Sequence, residues 1–296
     1  MHVNPTSECL ALAPWSMSKA KMALGCPWQF HEKYVLKHKG EEPPATSRRK
    51  VGLAAHETVE ALLKRPGAKI GPAMDLCCAK HSLTSAEIEE LSLYKSTILE
   101  FIDRVTTFRA KHMDTRSELL VEMRLAFLPD FTPCAFFNNA GLFRGVIDLG
   151  MPTKSGNLVV IDHKARAKGR MEWYIDQMKA YQVLGVYGMN IPNYAVHAVQ
   201  PAVHYILDGV IDWVAVSKRQ EIVTHVRNWL VGFLNKAAFS AQKTDVKQSG
   251  IHCDWCAFAA GCEVYASNQK KKTGGKILFG LGIMMLERPS SSTWRD

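Results

Sequence analysis

Two short apolar runs, each carrying a carboxylate, constrain the fold of this chain more than any other feature. The first is Gly145 to Asp148, and the second is Val159 to Lys164, in which Asp162 and Lys164 are two positions apart. Such runs predict strands, and residues two apart on a strand share one face. A buried carboxylate is costly unless it is paired or binds a metal. The runs therefore predict neighbouring strands that bring both aspartates to one place.

The periodicity of the whole chain predicts an α/β fold around these strands. Helical patterns occur at 16–39, 51–63, 85–111, 172–187 and 217–238, and strand patterns occur at 119–127, 143–149, 158–164, 194–200, 204–206 and 211–216. The order is helices, three strands, a helix, further strands and a last helix. That order predicts an α/β core with a mixed sheet, preceded by a helical region.

The charge balance and the cysteine content restrict the partners and the compartment. Lysine and arginine outnumber aspartate and glutamate by 37 to 28, which gives a net charge of +9. This excess suits nucleic acid, although a basic protein without such a partner has the same composition. The apolar run at 277–286 is about half a membrane span, and the N-terminus does not resemble a secretory signal. We therefore expect a soluble, cytoplasmic protein with no membrane partner, whose eight cysteines bind metal or stay reduced.

The aspartates and the lysine together indicate a metal-dependent hydrolytic site. Two converging carboxylates suit Mg²⁺ or Mn²⁺, which prefer oxygen ligands. Lys164, on the same strand face as Asp162, can orient an attacking water or stabilise a charge that develops on a phosphate. A structural salt bridge within Asp-x-Lys is the alternative, and these residues alone leave both interpretations open.

Three residues elsewhere can join this site. Gln177 and Tyr181 are four positions apart and share a helix face, from which they can contact DNA phosphate or the lysine. An ordinary amphipathic helix has the same spacing. His56 lies among small and apolar residues, with Glu60 one turn later. Such a histidine either binds a metal or is a hydrogen-bonded core residue.

The C-terminal cysteines form a metal-binding pattern. Cys253, Cys256 and Cys262 follow the spacing CxxCxxxxxC in a segment without regular periodicity. Three thiolates in one loop suit zinc or an iron–sulfur cluster, and either needs a fourth ligand. Cys26 is the best candidate, because closing a long loop costs little more than closing a moderate one. The ligands alone leave the choice between zinc and iron open.

Four short motifs follow one another along the chain. They are Gly-x-x-x-His at 52–56, Gly-Val-Ile-Asp at 145–148, Ile-Asp-x-Lys at 161–164 and Gln-x-x-x-Tyr at 177–181. In this order they resemble the motifs of the RecB-like branch of PD-(D/E)XK nucleases. That branch includes the nuclease domains of RecB and AddB and the CRISPR-associated RecB-type exonucleases. The resemblance extends roughly from Cys26 to Cys262 and implies a restriction-endonuclease-like core, with a mixed central sheet flanked by helices.

The resemblance also implies roles for the residues of the site. His56, Asp148 and Asp162 would bind Mg²⁺ or Mn²⁺, and the backbone carbonyl of His163 would complete the metal shell. Lys164 would be catalytic together with the two aspartates.

Further residues gain implied roles from the same branch. Gln177 and Tyr181 would position DNA, and Glu122 lies where the family often has an acidic residue on a strand. Members often carry one N-terminal cysteine followed by proline and three clustered C-terminal cysteines, which hold a 4Fe–4S cluster. The matching residues here are Cys26, Cys253, Cys256 and Cys262.

These features divide the chain into four parts. We expect an N-terminal helical region at 1–115 that carries Cys26 and His56, a PD-(D/E)XK nuclease core at 116–240, an iron–sulfur cysteine loop at 241–268 and a basic tail at 269–296.

The predicted function is that of a metal-dependent DNA exonuclease that hydrolyses phosphodiester bonds and prefers single-stranded ends. It would act in recombination, repair or phage DNA processing. A non-catalytic nucleic-acid-binding protein with zinc or an iron–sulfur cluster is the alternative, but it leaves the strand carboxylates without a purpose. The sequence has neither His-Glu-x-x-His, which a zinc hydrolase of small substrates would use, nor Gly-x-x-x-x-Gly-Lys-Ser/Thr, which a motor would use. A helicase or recombination partner would therefore be a separate chain. Basic residues of the N-terminal region either line an entrance for DNA or form an ordinary solvated face; they are Lys33, Lys37, Arg48, Arg49 and Lys50.

Overall fold

The structure is a computed structural model and describes residues 2–41, 46–114, 117–189, 194–250, 253 and 256–267. The helices are α1 (Ser7–Ala11), α2 (Met17–Gly25), α3 (Pro27–Phe30), α4 (Ser47–Lys64), α5 (Ile70–Lys80), α6 (Ser85–Ser92), α7 (Lys95–His112), α8 (Ile175–Tyr187), α9 (Arg219–Glu221) and α10 (Arg227–Ala241). The strands are β1 (Leu120–Phe127), β2 (Phe143–Pro152), β3 (Asn157–Lys164), β4 (Ala198–Tyr205), β5 (Val210–Trp213) and β6 (Ser217–Lys218). Turns of π-helix follow α3 at His31–Val35 and α9 at Ile222–Val226.

The strands form one mixed sheet. Among the described residues the order is β1-β2-β3-β4-β5, and β6 also pairs with β4, at Ala198 and Val199. β3 and β4 run parallel, and the remaining neighbours are antiparallel. A parallel pair needs a crossover connection, and α8 lies in the segment that joins β3 to β4. The predicted mixed sheet flanked by helices is confirmed.

Helices cover both faces of this sheet. The face with α2, α8 and α10 has a core that includes Leu158 and Val160 of β3. The face with α4 to α7 has a second core that includes Val159 and Ile161. Successive side chains of a strand point to opposite faces. Asp162 therefore lies on the face of α8, whereas His163 lies on the face of α4 and α7.

The chain around Cys26 differs from the prediction. A single helix at 16–39 is wrong, because α2 ends at Gly25 and α3 begins at Pro27. Between them Cys26 has an extended backbone, with φ −154° and ψ 92°. Proline disfavours helical backbone in the residue before it. The break gives Cys26 a position between two short helices instead of a place in a continuous one.

Other predicted elements differ in extent. The helix expected at 85–111 is divided into α6 and α7, and the strands expected at 194–200 and 204–206 form one strand, β4. Pro201 lies within β4 opposite Val160. The pattern predicted a break there because proline cannot donate a ladder hydrogen bond. The helices α1 and α5 were not predicted from the sequence.

No helix within the described ranges combines the length and the apolarity that crossing a membrane requires. The predicted basic tail at 269–296 and the apolar run at 277–286 lie outside the described residues.

Candidate active site

β2 and β3 separate at the point where each strand carries its aspartate. The backbone ladder between them ends at Leu149 and Ile161, and Asp148 and Asp162 are the next residues. In place of a further ladder bond, the backbone N–H of His163 donates to Asp148 Oδ2 at 2.7 Å. The two carboxylates predicted to converge therefore lie at an opening between neighbouring strands.

The alternation of side chains shifts at this opening. In β2, Ile147 belongs to the core on the α8 face, whereas Leu149, two residues later, belongs to the core on the α4 face. At the register position opposite Asp148, Glu122 of β1 has φ 54°. A left-handed backbone at a residue other than glycine costs about 1 to 3 kcal/mol and is concentrated at functional sites. At this irregular part of β1 and β2, the side chains of Glu122 and Asp148 both approach His56 of α4.

Asp162 is 2% exposed, and three side chains hold its oxygens. Oδ1 accepts from the Tyr181 hydroxyl at 2.9 Å and from Gln177 Nε2 at 2.8 Å. Lys164 Nζ lies 2.6 Å from Oδ2. Burial raises the pKa of Asp162 to about 6, although the Lys164 ammonium opposes this shift. The carboxylate is thus removed from water, and a positive charge beside it is strongly favourable.

Gln177 links the groups around Asp162. Its amide nitrogen also donates to the Tyr181 oxygen at 2.7 Å, and its amide oxygen accepts from Lys164 Nζ at 3.5 Å. Burial lowers the pKa of Lys164, but the Asp162 carboxylate outweighs this effect, and the net shift is upward. The helix face predicted to carry Gln177 and Tyr181 is therefore turned toward Asp162 and Lys164.

His56 of α4 contacts the other aspartate, Asp148, from the face of the sheet opposite to α8. Its Nε2 lies 3.1 Å from Asp148 Oδ2, and its Nδ1 lies 4.0 Å from Glu122 Oε1. Burial lowers the pKa of His56, but the hydrogen bond to Asp148 and the nearby carboxylates outweigh it and raise the pKa overall. Burial raises the pKa of Asp148, but His56 and the N–H of His163 lower it further than burial raises it. The structure thus places His56 beside Asp148, on the same side of the sheet as Glu122.

The donor atoms around His56 suit a hard divalent cation. Among the described residues, one ligand atom each from His56, Glu60 and Glu122 lie within 4.8 Å of one another. Asp148 contacts the same histidine. One imidazole nitrogen with several carboxylate oxygens is the kind of donor set that Mg²⁺ or Mn²⁺ uses. Glu60 and Glu122 were only weak candidates in the sequence, where the signals were an i, i+4 spacing from His56 and an acid within a strand.

The side chain of His163 lies on the α4 face of the sheet, where its ring meets that of His56 edge to face at a centroid distance of 5.7 Å. It is buried beside His204, its register partner in β4, and the Nδ1 atoms of the two rings are 3.0 Å apart. Phe101 of α7 stacks on His204 with ring centroids 4.0 Å apart. Burial lowers the pKa of His163 to about 4 and that of His204 well below its usual value. Burial thus favours the neutral form of both rings, and His163 also contributes its backbone N–H, which donates to Asp148. His204 had no motif that marked it in the sequence.

The four predicted cluster cysteines share one neighbourhood. Cys26, Cys253 and Cys256 are buried. Burial raises the pKa of the Cys256 thiol, and the thiols of Cys26, Cys253 and Cys262 raise it further. Cys26 therefore lies within electrostatic range of the C-terminal loop, although 226 residues lie between it and Cys253 in the sequence.

The segments around these cysteines are packed against each other. The backbone N–H of Trp28 donates to the carbonyl of Val246 at 3.1 Å, and its ring meets Phe258 edge to face at 6.1 Å. A Cβ atom at Gly40 would lie 2.4 Å from the carbonyl oxygen of Ala257, so only glycine fits there. The N-terminal helices and the C-terminal loop thus form a close contact next to Cys26. Residues 254–255, between two of the cysteines, lie outside the described residues.

Comparisons with known proteins give two positive findings. Residues 14–263 match the PD-(D/E)XK nuclease superfamily. A solved structure titled "Crystal structure of SSO0001" is 13% identical, and the match covers 84% of this chain and 95% of that chain with a TM-score of 0.33. The search of curated proteins gives no match. The superfamily match includes the whole site from His56 to Tyr181.

Proposed function

Because the chain belongs to the PD-(D/E)XK nuclease superfamily, we propose that it is a metal-dependent DNA exonuclease of the RecB-like branch, with a preference for single-stranded ends. One observation carries the nuclease proposal. Asp148, Asp162 and Lys164 converge at the opening between β2 and β3, with His56 against Asp148 and Gln177 against Asp162. A structural salt bridge alone would not require the second aspartate and the histidine at the same opening.

His56, Asp148 and Asp162, together with the backbone carbonyl of His163, would hold Mg²⁺ or Mn²⁺. Glu122 is a further candidate ligand, because its strained backbone accompanies its approach to His56. When bound, such a cation acts as a Lewis acid on a phosphate oxygen and favours ionisation of a bound water. The protein contributes preorganisation, since Asp148 and Asp162 are already fixed by hydrogen bonds.

Lys164 would stabilise the negative charge that grows on the phosphate during attack by water. Its ammonium is fixed by Asp162 and Gln177, so little reorganisation is needed as the charge develops. Tyr181 is 5% exposed and donates to Asp162. We therefore assign Tyr181 to positioning of Asp162, and Gln177 to positioning of both Asp162 and Lys164.

We further propose that Cys26, Cys253, Cys256 and Cys262 hold a 4Fe–4S cluster. The support is their shared neighbourhood and the close packing of Trp28 and Gly40 on the C-terminal loop. A cluster there would fix the N-terminal helices to the far end of the sequence. The expected division into parts at 1–115, 116–240, 241–268 and 269–296 remains part of this proposal, with the cluster as the link between the first and third parts.

The preference for single-stranded ends follows from that link. If the cluster closes a passage over the site, that passage would admit a threaded strand more readily than an intact duplex. Lys33, Lys37, Arg48 and Arg49 are exposed and can contact phosphates at an entrance. Covalently closed single-stranded circles test this point. We expect them to be cut much more slowly than linear strands of the same sequence, and equal rates would mean endonuclease activity without threading.

The nuclease activity itself is tested with end-labelled single- and double-stranded DNA. The anaerobically purified protein is incubated with Mg²⁺ or Mn²⁺, and a reaction with EDTA is the control. We expect cleavage only with the metals. Tight DNA binding without cleavage under any of these conditions would contradict the proposal and support the alternative of a non-catalytic binding protein.

A further inference from the structure

A cavity of about 510 Å³ opens beside the site on the α8 face of the sheet. Its size lies in the range of roughly 300 to 1,000 Å³ that small-ligand pockets occupy. The walls come from the start of α2, from the segment that precedes β2, from β2 and from α8. Residues that matter for its chemistry are Lys21, Phe136, Phe137, Arg144, Gln177 and Tyr181.

The outer wall of the cavity carries an aromatic ring that faces solvent. Phe137 is 70% exposed. Its ring stands perpendicular to that of Phe136, at an interplanar angle of 89° and a centroid distance of 5.1 Å. Single exposed apolar residues are common on protein surfaces, so exposure alone assigns no role to Phe137. The charges around it are what distinguish this ring.

Two arginines lie over this aromatic pair. The guanidinium carbon of Arg124 is 5.8 Å from the Phe137 centroid and 5.9 Å from the Phe136 centroid. That of Arg144 is 5.4 Å from the Phe136 centroid, and its Nη1 donates to the Phe136 carbonyl at 3.4 Å. Aromatic faces combined with cations are the surface on which proteins stack the bases of single strands while they contact the backbone phosphates. The wall therefore has the chemistry of such a surface.

The segment that presents Phe137 is fixed by backbone hydrogen bonds. Cys134 N–H donates to the carbonyl of Ala126 at 3.0 Å, and Asn138 N–H donates to that of Ala135 at 2.9 Å. These bonds lie on either side of the two phenylalanines. The backbone that carries the ring is consequently fixed before any ligand arrives, which reduces the entropy lost on binding.

The inner wall of the same cavity belongs to the site. Gln177 and Tyr181, which hold Asp162, both line it. Lys21 of α2 lines the cavity as well, and its Nζ donates to the carbonyl of Trp173 at 3.3 Å. Burial lowers its pKa, and Asp176, Lys164 and Asp162 also act on it, so its ammonium is within electrostatic range of the site. Gln177 and Tyr181 thus join the cavity to Asp162, which they contact from α8.

We propose that this cavity is a subsite for single-stranded DNA, in which one base stacks on Phe137 while neighbouring phosphates contact Arg144 and Lys21. This proposal rests on the proposed nuclease function. It adds that the protein recognises an unpaired base of the DNA substrate and the phosphates next to it. Stacking requires an unpaired base, because the faces of a base within a duplex are covered by its neighbours. The subsite is therefore one source of the preference for single strands.

The test is a binding assay in EDTA, so that no cleavage occurs. The probe is a fluorescein-labelled thymidine 12-mer, and a second 12-mer carries one 2-aminopurine whose fluorescence falls on stacking. We expect Phe137→Ala to weaken binding of the single strand by roughly 5- to 150-fold and to abolish the quenching at the position that reaches the subsite. Phe137→Trp should retain both.

Phe239→Ala is the matched control. Phe239 is 64% exposed and has Lys243 Nζ 5.2 Å from its centroid, but it lies on α10 and does not line the cavity. This variant should bind both probes as the unmodified protein does. Binding by Phe137→Ala within twofold of the unmodified protein, or an equal loss for a blunt duplex, would overturn the subsite.

The assay also separates the two proposals. If the unmodified protein cleaves DNA with Mn²⁺ but Phe137→Ala binds normally, the subsite is wrong and the nuclease proposal stands. If Phe137→Ala loses binding and quenching as expected but the unmodified protein never cleaves, the subsite stands as a DNA-binding surface and the nuclease proposal is wrong.

Discussion

Replacing Tyr181 by phenylalanine should weaken the response of cleavage to the metal without disturbing the fold. The change removes one hydroxyl, which donates to Asp162 Oδ1 at 2.9 Å inside a buried environment. The phenyl ring remains and fills the same space between α8 and the sheet. The expected effect is therefore on the orientation and charge of the Asp162 carboxylate, and not on packing.

The magnitude follows from the bond that is lost. A hydrogen bond to a charged group contributes about 1.5 to 3 kcal/mol, which corresponds to roughly 10- to 150-fold in an equilibrium constant. Gln177 Nε2 still donates to the same oxygen at 2.8 Å, so the lower end of that range applies. We expect the Mn²⁺ concentration for half-maximal cleavage to rise by about 10- to 30-fold, which agrees with the usual effect of removing a partner of a metal ligand.

The assay is initial-rate cleavage of a linear single strand over a range of Mn²⁺ concentrations. Tyr194→Phe is the matched control, because its hydroxyl also donates a hydrogen bond, at 2.6 Å to the carbonyl of Asn157, at the opposite end of β3. That variant should keep the metal response of the unmodified protein. A Tyr181→Phe variant whose half-maximal Mn²⁺ concentration changes by less than about twofold would refute the role of Tyr181 in positioning Asp162.

Three further predictions concern the metal site, the lysine and the cysteines. Asp148→Asn should abolish cleavage but leave DNA binding and the melting temperature unchanged, because an amide oxygen can still accept from the N–H of His163. Retained cleavage would mean that Asp148 does not bind the metal. Lys164→Ala should lower kcat at saturating Mn²⁺ by about 100-fold or more, and near-normal turnover at saturating Mn²⁺ would mean that Asp162 and Lys164 form only a structural ion pair. Cys256→Ala should lose iron, acid-labile sulfide and the brown colour and should melt at a lower temperature, whereas Cys134→Ala should retain the iron, the sulfide and the colour. Zinc without iron in the unmodified protein would mean that the cysteines bind zinc and not a cluster.

The positions of the two aspartates could be predicted from the sequence because strand alternation is a local rule. The apolar run before Asp162 predicts a buried strand, and a spacing of two puts Lys164 on the same face as Asp162. The turn after β2 is short, so Asp148 had to lie on the adjacent strand. The spacing of four likewise placed Gln177 and Tyr181 on one face of α8. None of these steps needs information from distant parts of the chain.

The remaining features depend on contacts that no local pattern records. The left-handed backbone of Glu122 has no glycine or turn signal, and it becomes apparent only where β1 lies against β2. His204 contacts His163 because β3 and β4 are parallel neighbours in that register, which depends on the crossover through α8. The break at Cys26 does have a local signal, since proline follows it, but the helical periodicity on both sides favours one continuous helix.

The opening between β2 and β3 explains how one short segment serves both the fold and the chemistry. When two strands separate, their backbone groups lose their partners, and a buried N–H without a partner costs about 1 to 3 kcal/mol. Here the N–H of His163 is satisfied by Asp148, so the same carboxylate that faces His56 also closes the end of the ladder. Asp162 is held from the other face by α8. Asp148 is thus held by β3 and by His56 of α4, whereas Asp162 is held by α8 on the other side of the sheet. For this reason a change on α8 should alter Asp162 while Asp148 and His56 keep their contact.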